Sequence, residues 1–272
     1  MLKFSNAKIN LGLHITKKRE DGYHEIETVL YPVDWCDVLE IVPADNNRFE
    51  TYGIEIPGDP MDNLCVKAYS LLQEDFGIDP VQMHLLKNIP IGAGLGGGSS
   101  NAAFTLSILN DLFDLNISKR ILQEYADFLG SDCSFFLNNV PQFASGRGNH
   151  LQDIEIDLSA YQFVLVYPNL HIDTAWAYSQ ITPQTPAISL AEILIMHPIE
   201  KWKNVLHNDF QTPITQQYPI IKKLVELCYK HQAVYSAMSG SGSTVFGIFE
   251  KDKKIDGLLN LFKKKAYLYK NF

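Results

Sequence analysis

Apolar and polar positions alternate from residue 2 to residue 16 (Leu-Lys-Phe-Ser-Asn-Ala-Lys-Ile-Asn-Leu-Gly-Leu-His-Ile-Thr), which predicts a half-buried strand. Lys8 and Asn10 share one face of that strand, and Ile9 and Leu11 share the other. The pattern alone leaves Lys8 and Asn10 either solvated or functional. The charged segment 17–21 closes on Asp21-Gly22, a hairpin turn signal, and Tyr23-His24 lead into a second strand over 25–33. Strand-like runs follow at 37–42 and 49–56. Asp62-Asn63 start a helix that runs to about Phe76 and stops at Gly77. Alternation returns at 81–89, then come five crowded glycines, and a helical pattern over 102–112 is opened by Ser99, Ser100 and Asn101. A further helix over 118–129 ends at Gly130.

Beyond it, 141–148 and 162–168 read as strands, and the domain change is placed around residue 155, with no linker to mark it. Short helices over 174–181 and 190–196, a longer one over 218–231 and strands over 233–238 and 244–249 complete the pattern. A basic amphipathic helix over 253–265 comes last. Between the two late strands lies a second glycine-serine loop, Ser239-Gly240-Ser241-Gly242-Ser243. No internal repeat or low-complexity tract interrupts the chain.

Composition narrows the classes. A chain of 272 residues with 46% apolar content makes one large or two modest globular domains. A net charge of −8 argues against a general nucleic-acid binder, yet leaves room for a small anionic ligand at a locally positive site. Cys36, Cys65, Cys133 and Cys228 form no C-x-x-C pair, so reduced buried thiols are expected rather than a metal cluster or a disulfide framework. No apolar run approaches the length of a membrane span and the N-terminus lacks a signal-type apolar stretch, so a soluble cytoplasmic protein is expected.

The glycines carry the first chemical signal. Gly92, Gly94, Gly96, Gly97 and Gly98 stand between a strand pattern and a helix pattern. Glycine lets backbone N–H groups converge, and a helix N-terminus adds partial positive charge, so the combination suits a phosphate. Three readings compete: a flexible connector, a dinucleotide loop, and a phosphate cradle of another kind. Gly92-x-Gly94-x-x-Gly97 has dinucleotide spacing, but 113–130 reads as helix where that fold needs its next strand. A Walker loop is excluded, since no Gly-Lys-Ser/Thr follows. Asp132, in a small-residue turn before an apolar run, reads in isolation as an ordinary turn or helix-capping aspartate.

Three segments in order then resemble the motifs of the GHMP kinases, small-molecule kinases named for galactose, homoserine, mevalonate and phosphomevalonate. They are Ala7-Lys8-Ile9-Asn10-Leu11, Pro90-x3-Gly94-Leu95-Gly96-Gly97-Gly98-Ser99-Ser100, and Met238-Ser239-Gly240-Ser241-Gly242. Arg19-x-Asp21-Gly22-Tyr23-His24, Gly130-Ser131-Asp132 and Phe143-Ala144-x-Gly146-x-Gly148 are most similar to the branch that phosphorylates a cytidyl-linked methylerythritol of the non-mevalonate isoprenoid pathway. The resemblance implies an α+β two-domain fold. Its N-terminal ATP-binding domain, of the ribosomal protein S5 domain 2-like type, would span 1–155, and its C-terminal α/β sandwich domain 156–272.

It also implies transfer of the ATP γ-phosphoryl group to the tertiary hydroxyl at position 2 of the erythritol moiety. Asp132 matches the catalytic base and Lys8 its partner, whose ammonium would stabilise charge on the moving phosphoryl group. ATP would lie on Pro90, Gly92, Gly94, Leu95, Gly96, Gly97, Gly98, Ser99, Ser100 and Asn101. The Mg2+ would be held mainly by phosphates and water, since no helix glutamate matches a ligand position. Asn10, Tyr23 and His24 would recognise cytosine, an aromatic face and a polar side chain suiting a pyrimidine. Tyr178, with Trp176 as fallback, would form the second stacking wall, and Gly240, Ser241 and Gly242 would close over the phosphates. The partner is a small-molecule cytidyl substrate, with no nucleic acid or membrane, and the protein is expected as a monomer or weak homodimer. Another GHMP kinase acting on homoserine or a sugar, or a catalytically silent nucleotide-binding protein, is the alternative.

Overall fold

A computed structural model describes residues 1–262 and 267–270. The chain opens with two long strands, β1 (Leu2–Lys18) and β2 (His24–Pro43), joined by the expected hairpin turn. Next come β3 (Arg48–Gly53), α1 (Leu64–Phe76) and β4 (Val81–Lys87). Asn63 caps α1, its side chain accepting from the Cys65 N–H, and Gly77 ends it in the left-handed region. Three helices follow: α2 (Gly97–Leu112), α3 (Lys119–Leu129) and α4 (Cys133–Asn138). Two short strands, β5 (Gln142–Ser145) and β6 (His150–Asp153), precede β7 (Tyr161–Tyr167). The remainder runs α5 (Thr174–Ser179), α6 (Leu190–Met196), α7 (Ile199–Val205), α8 (Gln211–Gln217), α9 (Pro219–Lys230), β8 (Tyr235–Met238), β9 (Val245–Glu250), α10 (Asp256–Phe262) and β10 (Tyr267–Lys270). Of the basic helix expected over 253–265, residues 263–265 lie outside the described residues.

The chain packs as two compact units that are not consecutive halves. One holds Met1–Ala7, Pro32–Ile91 and Gly96–Val140; the other holds Lys8–Tyr31, Gly92–Leu95 and the chain from Pro141 onward. In the first unit, β4 pairs antiparallel with β2 (Val38 opposite Leu86 through Pro43 opposite Val81) and parallel with β3. Helices α1, α2 and α3 bury Leu72, Leu106, Leu109 and Ala126 with Leu39, Ile41, Val81 and Leu85 of these strands. In the second unit, Thr28–Leu30 of β2 pair with β5, which pairs with β6. A second sheet there has the order β10-β7-β9-β8, antiparallel throughout, and its core joins Val164, Val166, Val245 and Phe249 to Ile221 and Leu224 of α9.

Three expectations are corrected. The strands expected at 25–33 and 37–42 are one element, β2, whose ladder partner changes from β5 to β4 around Pro32, a residue with no N–H to donate. Helix α2 begins at Gly97 rather than among Ser99, Ser100 and Asn101. Strand β1 is not half-solvated either, because every residue from Ser5 to Leu13 is buried. The pattern does not predict strands β6 and β10 or helices α4, α7 and α8, each too short for many apolar positions to repeat within it.

Candidate active site

In the second unit, Lys8 is only 4% exposed and Asn10 only 3%, so neither is a solvated strand residue. Lys8 Nζ donates to Asn10 Oδ1 at 2.8 Å, Asn10 Nδ2 donates to Thr28 Oγ1 at 2.9 Å, and Thr28 Oγ1 donates to the Gly12 carbonyl at 2.6 Å. The amide of Asn10, expected to read cytosine, holds the ammonium of Lys8 through its oxygen and Thr28 through its nitrogen. The Lys8 N–H also donates to the Leu95 carbonyl at 2.9 Å, which fixes the lysine beside the glycine segment; Leu95 itself is buried, so its main chain is what it offers.

The late glycine loop packs on the same segment. Ser239 Oγ donates to the Gly94 carbonyl at 2.8 Å and accepts from the Asn10 N–H at 3.2 Å. Gly94 has φ +78°, and a Cβ there would stand 2.2 Å from the Ser239 carbonyl oxygen, so no larger residue fits. Asn208 Nδ2 donates to the Met238 and Gly240 carbonyls at 2.8 and 2.9 Å, bracing the turn, while Ser241 Oγ lies 3.2 Å from Thr174 Oγ1. Gly242 has φ +90°. The exposed Gly92 lies against the imidazole of His171.

His24 stacks on Tyr178 of α5 (centroids 4.7 Å apart, 22° between planes), and Tyr178 stands edge-on to Phe210. Trp176 instead meets Tyr218 edge-on, which leaves Tyr178 as the aromatic beside His24. Burial, with the positive charge of Lys18 added, lowers the His24 pKa and favours the neutral ring. Tyr23 is exposed, with the Arg147 guanidinium 4.9 Å from its ring centroid. Thr28, Asn208 and Arg147 escaped the sequence reading. Only Arg147 carried a signal, as the middle of Gly146-Arg147-Gly148.

The first unit holds Pro90, Gly96, Gly97, Gly98, Ser99, Ser100, Asn101 and Asp132. Because Gly96 is the N-cap of α2 and its carbonyl already accepts from the Ser100 N–H (2.9 Å), the amides that begin the helix without an intrahelical partner are those of Gly97, Gly98 and Ser99. Ser99 is partly exposed. Ser100 is fully buried, Pro90 is buried, and Asn101 spends its side chain inside the fold: Nδ2 donates to Ser5 Oγ (2.8 Å) and Asp37 Oδ2 (2.9 Å), and Oδ1 accepts from Lys87 (3.2 Å). The earlier helix start turns these two side chains inward. Asp132 occupies the N-cap position of α4, yet its carboxylate makes no capping hydrogen bond, so the ordinary helix-cap role is not the one it plays. Among the described residues, no group of three or more His, Cys, Asp or Glu side chains is placed to hold a metal ion, and no helix is long and apolar enough to cross a membrane.

The loop leads from β4 through α2 directly into α3, and β4 is antiparallel to β2, so the dinucleotide reading fails on topology. Residues 63–146 match the GHMP kinases N terminal domain and residues 193–267 match GHMP kinases C terminal. A 4-diphosphocytidyl-2-C-methyl-D-erythritol kinase of Bacteroides fragilis is 49% identical over 94% of this chain and 94% of its own length; that of Bacteroides thetaiotaomicron is 48% identical over 93% of each. A crystal structure of 4-(cytidine 5'-diphospho)-2C-methyl-D-erythritol kinase superposes with a TM-score of 0.81 at 28% identity, covering 99% of this chain and 98% of the other. The chain belongs to the 4-diphosphocytidyl-2-C-methyl-D-erythritol kinases, within the GHMP kinase family.

Proposed function

We propose that this chain transfers the γ-phosphoryl group of ATP to the 2-hydroxyl of 4-diphosphocytidyl-2-C-methyl-D-erythritol. The observation that carries the reading is the buried line from Thr28 through Asn10 to Lys8, with Lys8 tied to Leu95 and Ser239 tied to Gly94. It fixes an ammonium beside a glycine-rich backbone, the arrangement a transferring phosphoryl group requires. The amides of Gly97, Gly98 and Ser99 would receive the ATP phosphates. Asp132 would take the proton of the attacking hydroxyl, and Lys8 would offset charge on the phosphoryl oxygens. Mg2+, when bound, neutralises phosphate charge; the donor set fits an ion held chiefly by phosphates and water, with the Ser99 hydroxyl able to bond one of those waters.

Cytosine recognition would fall to His24, Tyr23 and Tyr178. A neutral imidazole presents one donor and one acceptor to a pyrimidine edge, the exposed Tyr23 ring presents a face for stacking, and Tyr178 backs the His24 ring. The test is ATP turnover against a panel of alcohols. Turnover with the cytidyl erythritol acceptor and none with homoserine is expected; activity on homoserine alone would reject the assignment.

A further inference from the structure

Asp37 lies on β2 and is fully buried, yet nothing in the proposed chemistry uses it. Its Oδ1 accepts from the N–H groups of Asn88 (2.7 Å) and Ile89 (2.8 Å), the two residues that lead into Pro90. Its Oδ2 accepts from Asn101 Nδ2 (2.9 Å), on the second turn of α2, and from the ammonium of Lys87. Lys87 also bonds Asn101 Oδ1, and its Nζ lies 2.8 Å from where a Cβ on Gly97 would stand. One carboxylate thus grips both ends of the chain between residues 89 and 101, which contains all five glycines.

That segment is the most flexible sequence in the protein by composition, because glycine loses more backbone freedom on ordering than any other residue. Its amides can hold phosphates at low entropic cost only if the ends are pinned before the ligand arrives. A buried ion pair is a poor device for stability alone, since apolar residues of like volume often do as well.

We propose that Asp37, through Lys87 and Asn101, is a positioning residue for the nucleotide: it staples the two ends of the glycine segment and keeps the amides at the start of α2 preorganised for phosphate. The proposal rests on the reading of that segment as the ATP site. It is tested by titrating the full-length protein with β,γ-imido-ATP and, separately, with cytidine diphosphate. The charge-neutral double variant Asp37→Asn/Lys87→Met keeps an oxygen for the Asn88 and Ile89 N–H groups but loses the bonds to Lys87 and Asn101 without stranding a buried charge, and Asn101→Ala cuts the link to α2 while leaving the ion pair in place. Each is expected to weaken the ATP analogue about tenfold or more while cytidine diphosphate binding stays within about twofold. Amides at 92–99 are expected to exchange hydrogen faster. An unchanged affinity for the ATP analogue in folded Asn101→Ala, or equal weakening of both ligands, overturns the proposal. If the double variant does not fold, Asn101→Ala decides. A wild-type protein that binds the analogue but does not phosphorylate the cytidyl acceptor would sink the functional reading and leave this one standing.

Discussion

Lys8 shows how much a single side chain depends on neighbours that the local pattern does not reveal. Its motif marked it, but its burial and its hold on Asn10 and Thr28 come from strands paired in space. Lys8→Ala and Asp132→Asn are each expected to cut kcat by about a hundredfold or more while the ATP dissociation constant moves far less, because their roles peak in the transition state. Steady-state kinetics beside a binding titration separates the two quantities. Gly94→Ala combines a positive φ with a contact 2.2 Å from a carbonyl oxygen, so it is expected to displace Ser239 and abolish turnover, and a conservative-looking variant with normal kinetics would contradict the packing. His24 sets a pH dependence. Burial lowers its pKa below the usual value of about 6.5, so the neutral ring prevails above that range and is lost as pH falls through the lowered value. Cytidine affinity is therefore expected to be flat from about pH 8 to 6.5 and to weaken below it, as a titration series would show. The type and motif of Asn10 are legible in the sequence, but the bond between its amide oxygen and the lysine is not.

At the scale of elements, α2 decides the geometry of the site. Ser99, Ser100 and Asn101 are helix-starting residue types, so the pattern places the start among them, and glycine is about 1 kcal/mol worse than alanine inside a helix. Burying Ala102, Leu106 and Leu109 outweighs that, each large apolar side chain contributing about 1.5–3 kcal/mol, and Gly97 fits against Ile89 where a Cβ would stand 2.9 Å away. The consequence is functional, since it leaves the amides of Gly97, Gly98 and Ser99 without helical partners and turns Ser100 and Asn101 inward. Caps were legible where side chains make them. Asn63→Ala, which removes the acceptor for the Cys65 N–H, is expected to cost about 1 kcal/mol in a denaturant titration without altering ATP affinity. A loss below the error of the measurement would place the start of α1 elsewhere.

At the scale of the molecule, the thiols report on the two cores. Burial raises the pKa of Cys65 and Cys228 to about 11 and that of Cys133 to about 12, the last partly offset by Ser99. All three are buried, Cys36 alone being partly exposed. Titration of the native protein with a thiol reagent near neutral pH is expected to modify Cys36 slowly and the other three only on unfolding; fast reaction of Cys133 would show that α4 opens in the native state. The sequence by itself determined the order and kind of the long elements, the turns, the α+β class, the three motifs and their family, because these are written in periods, caps and spacings of neighbouring residues. The tertiary structure decided what no local pattern contains. It threads the first strands through both compact units, buries a lysine and an asparagine on a strand whose alternation read as half-solvated, and brings Ser239 to Gly94 and Asp37 to both ends of the glycine segment. Those contacts join residues far apart in sequence, and whether a polar side chain faces water or a partner depends on which chain segment arrives opposite it.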